Sequence, residues 1–290
     1  MLKREDIGLR DPFILLHEGK YYMYGTRNKT VWGPADGFDV YCSEDLENWS
    51  EPVEIFHNDG SFWATECYWA PECVYHDGKF YLVTTFSAPD KCKRLQVLVA
   101  ESPLGPFVPL TDEPLTPADW NAIDGTVYED ERGELWLIFS HSLPEEPRGA
   151  ICCAKLAPDF THIDGEIKNM FFAGDAPWAQ PIPFAKAEFG LDGDVYLSDG
   201  PYVIRDKKGR LQMIWSSWSE QGYAIGLAVS DNGSLKGPWR HLPEPISRQD
   251  GGHGMIFRDK NGELKLALHS PNDTPNERLS VQPCDFLLAD

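Results

Sequence analysis

GLRDPFILLHEGKYYMYGT, residues 8–26, decides the fold. Its second half is a hairpin: the apolar runs FILL and YYMYGT flank His17-Glu18-Gly19-Lys20, a turn composition. Its first half sets a problem. Arg10-Asp11-Pro12 stands where a strand bound for the core begins, and a buried carboxylate is costly unless it is paired or has a task.

The hairpin recurs. Residues 70–86 read APECVYHDGKFYLVTTF, 123–141 IDGTVYEDERGELWLIFSH, 198–217 SDGPYVIRDKKGRLQMIWSS and 251–270 GGHGMIFRDKNGELKLALHS. Each has a polar or small opening, an apolar strand, a charged turn containing Gly, and a second apolar or aromatic strand. A third strand follows each: DVYCSEDLENW (39–49), VLVAESPLGPF (97–107), ICCAKLAPDFTHI (151–163), GLAVSDNGSLKGPW (226–239) and LSVQPCDFLL (279–288). No long segment of helical period interrupts them. Five units of about 58 residues, each with three strands and room for a fourth, predict an all-β, five-bladed β-propeller of three to four antiparallel strands per blade. A β-sandwich gives no reason for one landmark to return five times. We expect a single catalytic domain over residues 1–290.

Composition narrows the function. The net charge of −20 repels phosphate backbones and anionic lipid, so nucleic acid and membrane are not expected partners. No apolar run reaches the length of a membrane span. The stretch MLKREDIGLRDPF (1–13) holds no apolar leader core, and the seven Cys lack C-x-x-C spacing, which argues against a disulfide framework or a zinc site. Both lead us to expect a cytoplasmic protein.

In a propeller the innermost strands line one central channel, so their starting residues converge. Aligned on the hairpins, these are Asp11 (R-D-P), Ala70 to Glu72 (W-A-P-E), Asp124 (I-D-G), Asp199 (S-D-G-P) and His253 (G-G-H-G). A single Asp at a strand start is a turn former; three at equivalent positions of a converging repeat are not explained that way. Carboxylates sharing a site push their pKa values apart, which separates an acid from a base. Glycoside hydrolysis asks for such a set: one carboxylic acid protonates the leaving oxygen while a carboxylate activates water or attacks the sugar.

R-D-P-F (10–13), Y-W-A-P-E (68–72), I-D-G-T (123–126), D-G-P (199–201) and G-H-G (252–254) resemble glycoside hydrolase family 43, five-bladed propellers that include arabinofuranosidases, xylosidases, arabinanases and galactan-active exo-enzymes. The resemblance spans the chain, one motif per blade. It implies an inverting mechanism with Asp11 as general base, Asp124 as the carboxylate that tunes the acid, and Asp199 in the acid's place. No cofactor is required. His253 matches an axial histidine that in several members reaches a channel calcium through water, so a structural calcium is an expectation. The departure is D-G-P where the familiar pattern is E-G-P: the carboxyl sits about 1.5 Å further back, by ordinary bond lengths. Glu188 and Glu66 are the carboxylates in loops that could substitute.

Trp49 and Trp239, in the repeated turn after a third strand, read as structural pins, and Trp136 and Trp215, inside second strands, as core. Trp32, Trp63, Trp69, Trp120, Trp178 and Trp218 fall in loops or at strand ends, where function concentrates. Trp69, Glu72, Arg10, Trp218 and His253 are the candidate sugar contacts. The expected substrate is a short oligosaccharide from which a terminal arabinofuranose, xylose or galactofuranose is released. Three alternatives stay open: a retaining fructosidase-like propeller, a phosphorylase using Arg10 and Arg278, and a sugar-binding propeller without catalysis.

Overall fold

The structure, a computed structural model, describes residues 1–206, 208–247 and 250–288. Five antiparallel sheets follow one another along the chain. From the axis outward, the second blade runs Glu66–His76, Lys79–Ser87, Arg94–Ala100 and Val108–Pro109; the third Ala122–Glu129, Leu135–His141, Ala150–Lys155 and Lys168–Phe172. The fourth runs Asp199–Arg205, Leu211–Ser219, Gly222–Ser230 and Trp239–His241, and the fifth has three strands, Gly252–Arg258, Leu264–Ser270 and Arg278–Pro283. This is the expected five-bladed propeller. The first blade departs from the expected strand number. Beyond Leu9–His17, Lys20–Arg27 and Gly37–Ser43, the outer edge is shared by the short Asn48–Trp49 and Val53–His57, and Leu2–Lys3 adds to the former.

Local chemistry sets the hairpins. In the first two, Glu18-Gly19 (φ 48°, 74°) and Asp77-Gly78 (φ 44°, 81°) are both left-handed, as a two-residue turn matched to strand twist requires. The other three use an aspartate: Asp130 Oδ1 accepts the N–H of Arg132 and Glu134, and Asp259 Oδ1 those of Asn261 and Glu263. Asp206 Oδ1 does the same with Lys208 and Arg210. The tryptophan pins are as read: Trp49 Nε1 donates to Leu46 O at 3.2 Å and Trp239 Nε1 to Leu235 O at 2.8 Å.

The apolar cores lie between blades. Phe38, Trp49, Tyr68, Phe86 and Phe257 join the first, second and fifth; Val83, Leu137 and Phe139 the second and third; Trp178, Met213 and Trp215 the third and fourth; Ile225, Ile256 and Leu266 the fourth and fifth. Trp178, read from sequence as a loop residue, is therefore core. Trp136 is only half-buried, its ring under Lys236 and its Nε1 on Asp130. At the seam between the fifth and first blades, Glu277 is fully buried and accepts from Arg10 Nη1 (2.7 Å), Asn28 Nδ2 (3.1 Å) and Thr274 Oγ1 (2.6 Å).

Candidate active site

Every inner strand breaks its ladder at the same place. Register is lost between Arg10 and Phe13, Trp69 and Glu72, Ile123 and Thr126, Asp199 and Tyr202, and Gly252 and Met255. The two bulged residues are Asp11-Pro12, Ala70-Pro71, Asp124-Gly125, Gly200-Pro201 and His253-Gly254. The first of each pair is left-handed, with φ between 46° and 59°. A left-handed non-glycine residue is strained and signals a constrained site.

This register corrects one alignment. Asp199 is not the counterpart of Asp11 and Asp124; Gly200 is. The glycine is required there, since at φ +48° a Cβ would stand 2.9 Å from the His253 ring. Asp199 occupies the position before the bulge, shared with Arg10, Trp69, Ile123 and Gly252. Four of those five (Arg10, Trp69, Ile123 and Asp199) line a cavity of about 700 Å³.

The bulged N–H groups have lost their ladder partners, and side chains of the preceding blade supply new ones. Thr26 Oγ1 accepts from Ala70 N (2.8 Å), Thr85 Oγ1 from Asp124 N (3.0 Å), Ser216 Oγ from His253 N (2.9 Å) and His269 Nδ1 from Asp11 N (3.2 Å). At the fourth position Asp124 Oδ2 takes the N–H of Gly200 at 3.0 Å, and Ser140, which pairs with Ile123 as Thr26 does with Arg10, is left with an unpartnered hydroxyl. Of these caps only Asp124 was noticed in the sequence; Thr26, Thr85, Ser216 and His269 were not. Their signal was the small polar end of each second strand, YGT, VTT, IFS, WSS and LHS.

The bulges gather the carboxyls. Asp11 and Asp124, 8% and 5% exposed, stand behind the cavity lining. His253 Nδ1 faces both, 3.3 Å from Asp11 Oδ1 and 3.7 Å from Asp124 Oδ2. Thr26 Oγ1 donates to Asp11 Oδ2 at 2.6 Å. Asp199 is hydrogen-bonded to Asp124, and its Oδ2 accepts from Tyr223 Oη at 2.8 Å. Burial alone would raise Asp11; His253 and Arg10 outweigh it and hold the carboxyl well below the usual range. Burial and the Asp11 charge push Asp124 up to about 7, and burial together with Asp124 pushes Asp199 well above its ordinary value. The surroundings in one buried set thus favour an ionised carboxylate at Asp11 and a carboxylic acid at Asp199.

The cavity walls come from loops. Trp32, exposed, meets Trp69 edge-on at 5.6 Å, and Arg10 lies over the Trp32 ring at 5.4 Å. Lys93 Nζ sits 5.7 Å from the Trp69 ring. Opposite, the excursion between the third and fourth blades carries the short helix Ala185–Phe189; its Phe184 packs edge-on to Trp218, and Glu188 and Phe189 reach the cavity. Of the proposed sugar contacts, Trp69, Arg10 and Trp218 line the cavity. Glu72 does not: it lies past the bulge, buried, with Oε2 unpartnered, and burial pushes it up to about 8. His253 likewise stands behind the lining. Glu66 is outside the cavity, and Tyr223, which lines it, was missed. Trp63 donates to Gln96 Oε1 and Trp120 stacks on His141 at 4.0 Å, so both are packing.

Among the described residues no group of three or more His, Cys, Asp or Glu is arranged to hold a metal ion directly. His253 Nδ1 is turned toward two carboxylates, so direct coordination through that atom does not fit. For phosphate, Arg278 is spent on the carbonyls of Glu5, Pro275 and Glu277, and Arg10 on Glu277.

Comparison with known proteins identifies the family. The family described as Glycosyl hydrolases family 43 matches residues 7–286. The chain is 26% identical over 278 residues to the extracellular exo-alpha-(1->5)-L-arabinofuranosidase ArbA of Cellvibrio japonicus, covering 88% of this chain and 73% of the relative. It is 39% identical over 153 residues to a beta-xylosidase of Xylanibacter ruminicola, 45% of this chain and 44% of that one. Among solved structures, an endo-arabinase from Bacteroides thetaiotaomicron superposes with a TM-score of 0.88 and 35% identity, over 98% of this chain and 96% of that one.

Proposed function

Because the chain belongs to glycosyl hydrolases family 43, we propose that this O-glycosyl hydrolase works by inversion and releases terminal arabinofuranose, xylose or galactofuranose from short oligosaccharides. The observation that carries the mechanism is the contrast between Asp11, beside His253 and Arg10, and Asp199, beside Asp124 and Tyr223, in one buried set. Asp11, ionised, is the general base: it takes a proton from the water that attacks the anomeric carbon. Asp199, neutral, supplies the proton that the departing oxygen needs. Asp124 keeps Asp199 protonated through its charge and hydrogen bond, and the same carboxylate cluster favours the oxocarbenium-like transition state.

The roles follow from environment. His253 and Arg10 hold Asp11 ionised. Asp199 has another carboxyl beside it and a phenol, which lets it keep a proton at neutral pH. Two aromatic pairs, Trp32–Trp69 and Phe184–Trp218, give the cavity apolar faces for a sugar. Relatives named as an arabinofuranosidase and a xylosidase support pentose release, and the loop excursion over residues 173–197 supports a walled pocket for a chain end.

The test is a panel of aryl pentosides and hexofuranosides with the first-formed anomer followed by NMR. Inversion with a pentofuranoside, pentopyranoside or galactofuranoside is the expected result. Retention would make Asp11 a nucleophile and overturn the assignment; binding without turnover across the panel would leave a sugar-binding propeller.

A further inference from the structure

We propose that Tyr223 relays the acid proton of Asp199, so that the phenol and not the carboxyl touches the departing oxygen. The inference rests on the reading of Asp199 as the acid. Two hydrogen bonds engage Asp199, one from its carboxyl to Asp124 and one from Tyr223 Oη to its Oδ2 at 2.8 Å. The first ties the carboxyl back toward the buried set. The second ties it to a phenol that itself lines the cavity.

The fold makes room for that ring. Gly252 faces it, and a Cβ there would stand 2.3 Å from the Tyr223 ring. The ring stacks on His269 at 5.8 Å with 17° between planes, and the backbone N–H of Tyr223 donates to Asp250 Oδ1 at 3.1 Å. The phenol is therefore fixed from both sides, with its hydroxyl on Asp199, and both residues line the cavity.

A phenol is donor and acceptor at once, and its proton rotates to suit. In the resting site it donates to Asp199 Oδ2. With substrate bound, Tyr223 O–H turns to the glycosidic oxygen, and the neutral Asp199 turns its one proton from Asp124 to Tyr223 Oη. As the bond between the anomeric carbon and the glycosidic oxygen breaks, its electron pair stays on the oxygen, which takes the Tyr223 proton. Tyr223 takes the Asp199 proton, and Asp199 is left a carboxylate. Water adds to the anomeric carbon and loses its proton to Asp11. Tyr223 ends as it began. Burial and the Asp199 charge raise the phenol well above its ordinary pKa, so it stays neutral and serves as a conduit.

The test compares an unactivated disaccharide with the dinitrophenyl glycoside of the same sugar. Tyr223→Phe should lose about 10²–10⁴-fold in kcat on the disaccharide and less than tenfold on the activated glycoside. Asp199→Glu in the Tyr223→Phe background should regain at least tenfold on the disaccharide, because the longer acid reaches the oxygen unaided. Equal losses on both substrates, or no rescue, overturn the relay. Should Tyr223→Phe fold poorly, 3,5-difluorotyrosine placed at position 223 keeps the ring and acidifies the phenol: a rate change confined to the disaccharide supports the relay, and none overturns it. Asp199→Asn separates this from the underlying reading. Full activity of that variant on the disaccharide removes Asp199 as the acid, whereas leaving-group dependence in Asp199→Asn without it in Tyr223→Phe removes the relay alone.

Discussion

His269 Nδ1 accepts the backbone N–H of Asp11 at 3.2 Å across the seam between the last blade and the first. The same nitrogen lies 3.4 Å from Asp11 Oδ1, but the bulged N–H has no ladder partner and takes it. The imidazole then carries its proton on Nε2, 3.3 Å from Asn272 Oδ1. One histidine closes the ring of blades and holds the left-handed Asp11 in place. His269→Ala orphans a buried donor, at a cost of about 1–3 kcal/mol. We expect a lower unfolding temperature and a fall in kcat larger than the rise in KM, measured by calorimetry and steady-state kinetics. Unchanged kcat would show that the seam only holds the blades together.

Asp11→Asn keeps the shape and the Thr26 contact but removes the base. Turnover should fall by about 10²–10⁴-fold while sugar binding and the unfolding temperature change little, since a base acts on the transition state. Activity within tenfold of wild type would disqualify Asp11.

The alkaline limb of the pH–rate profile belongs to the Asp124–Asp199 pair. Activity needs Asp199 protonated, so it should fall as pH rises through the pair's upper apparent pKa. Asp124 raises that value through its charge and hydrogen bond. Asp124→Asn should move the alkaline limb of kcat/KM to lower pH. A limb that stays in place would mean that another group titrates there.

Glu72 gives a stability prediction with a definite sign. Its buried carboxyl holds a proton up to about pH 8, while the unfolded chain releases it near the ordinary value. The protonated form's contribution is complete below about pH 4, where both states are protonated, and is lost as pH rises through about 8. Glu72→Gln stays neutral throughout. It should raise the unfolding temperature at pH 9 and make little difference at pH 5. Equal effects at both pH values would show that Glu72 does not titrate in this range.

Trp32 is 68% exposed, so Trp32→Ala should leave stability unchanged. If its face carries a sugar, KM should rise roughly tenfold, equivalent to about 1.4 kcal/mol, with kcat less affected. An unaltered KM would place the sugar against Trp69 alone.

Blade number, strand order and the convergence of Asp11, Asp124 and His253 could be read from the chain, because hairpin turns and apolar runs are local and their fivefold return admits one closed arrangement. The residues Trp69, Arg10 and Trp218 were found for the same reason: they adjoin a landmark or end a strand. The position of Asp199 was not legible. D-G-P aligns by letter with I-D-G, yet the bulge falls one residue later, on Gly200-Pro201. Where a bulge sits is decided by which N–H meets which capping acceptor on the neighbouring blade, and a shift of one residue turns a side chain to the other face. Tyr223 and His269 escaped for a related reason. They come from third and second strands far along the chain, and only closure of the ring brings their polar tips to the carboxyls. Sequence thus determined which acids meet at the axis. Tertiary structure decided which is ionised and which keeps its proton, because those states depend on burial and on charges that no single strand contains.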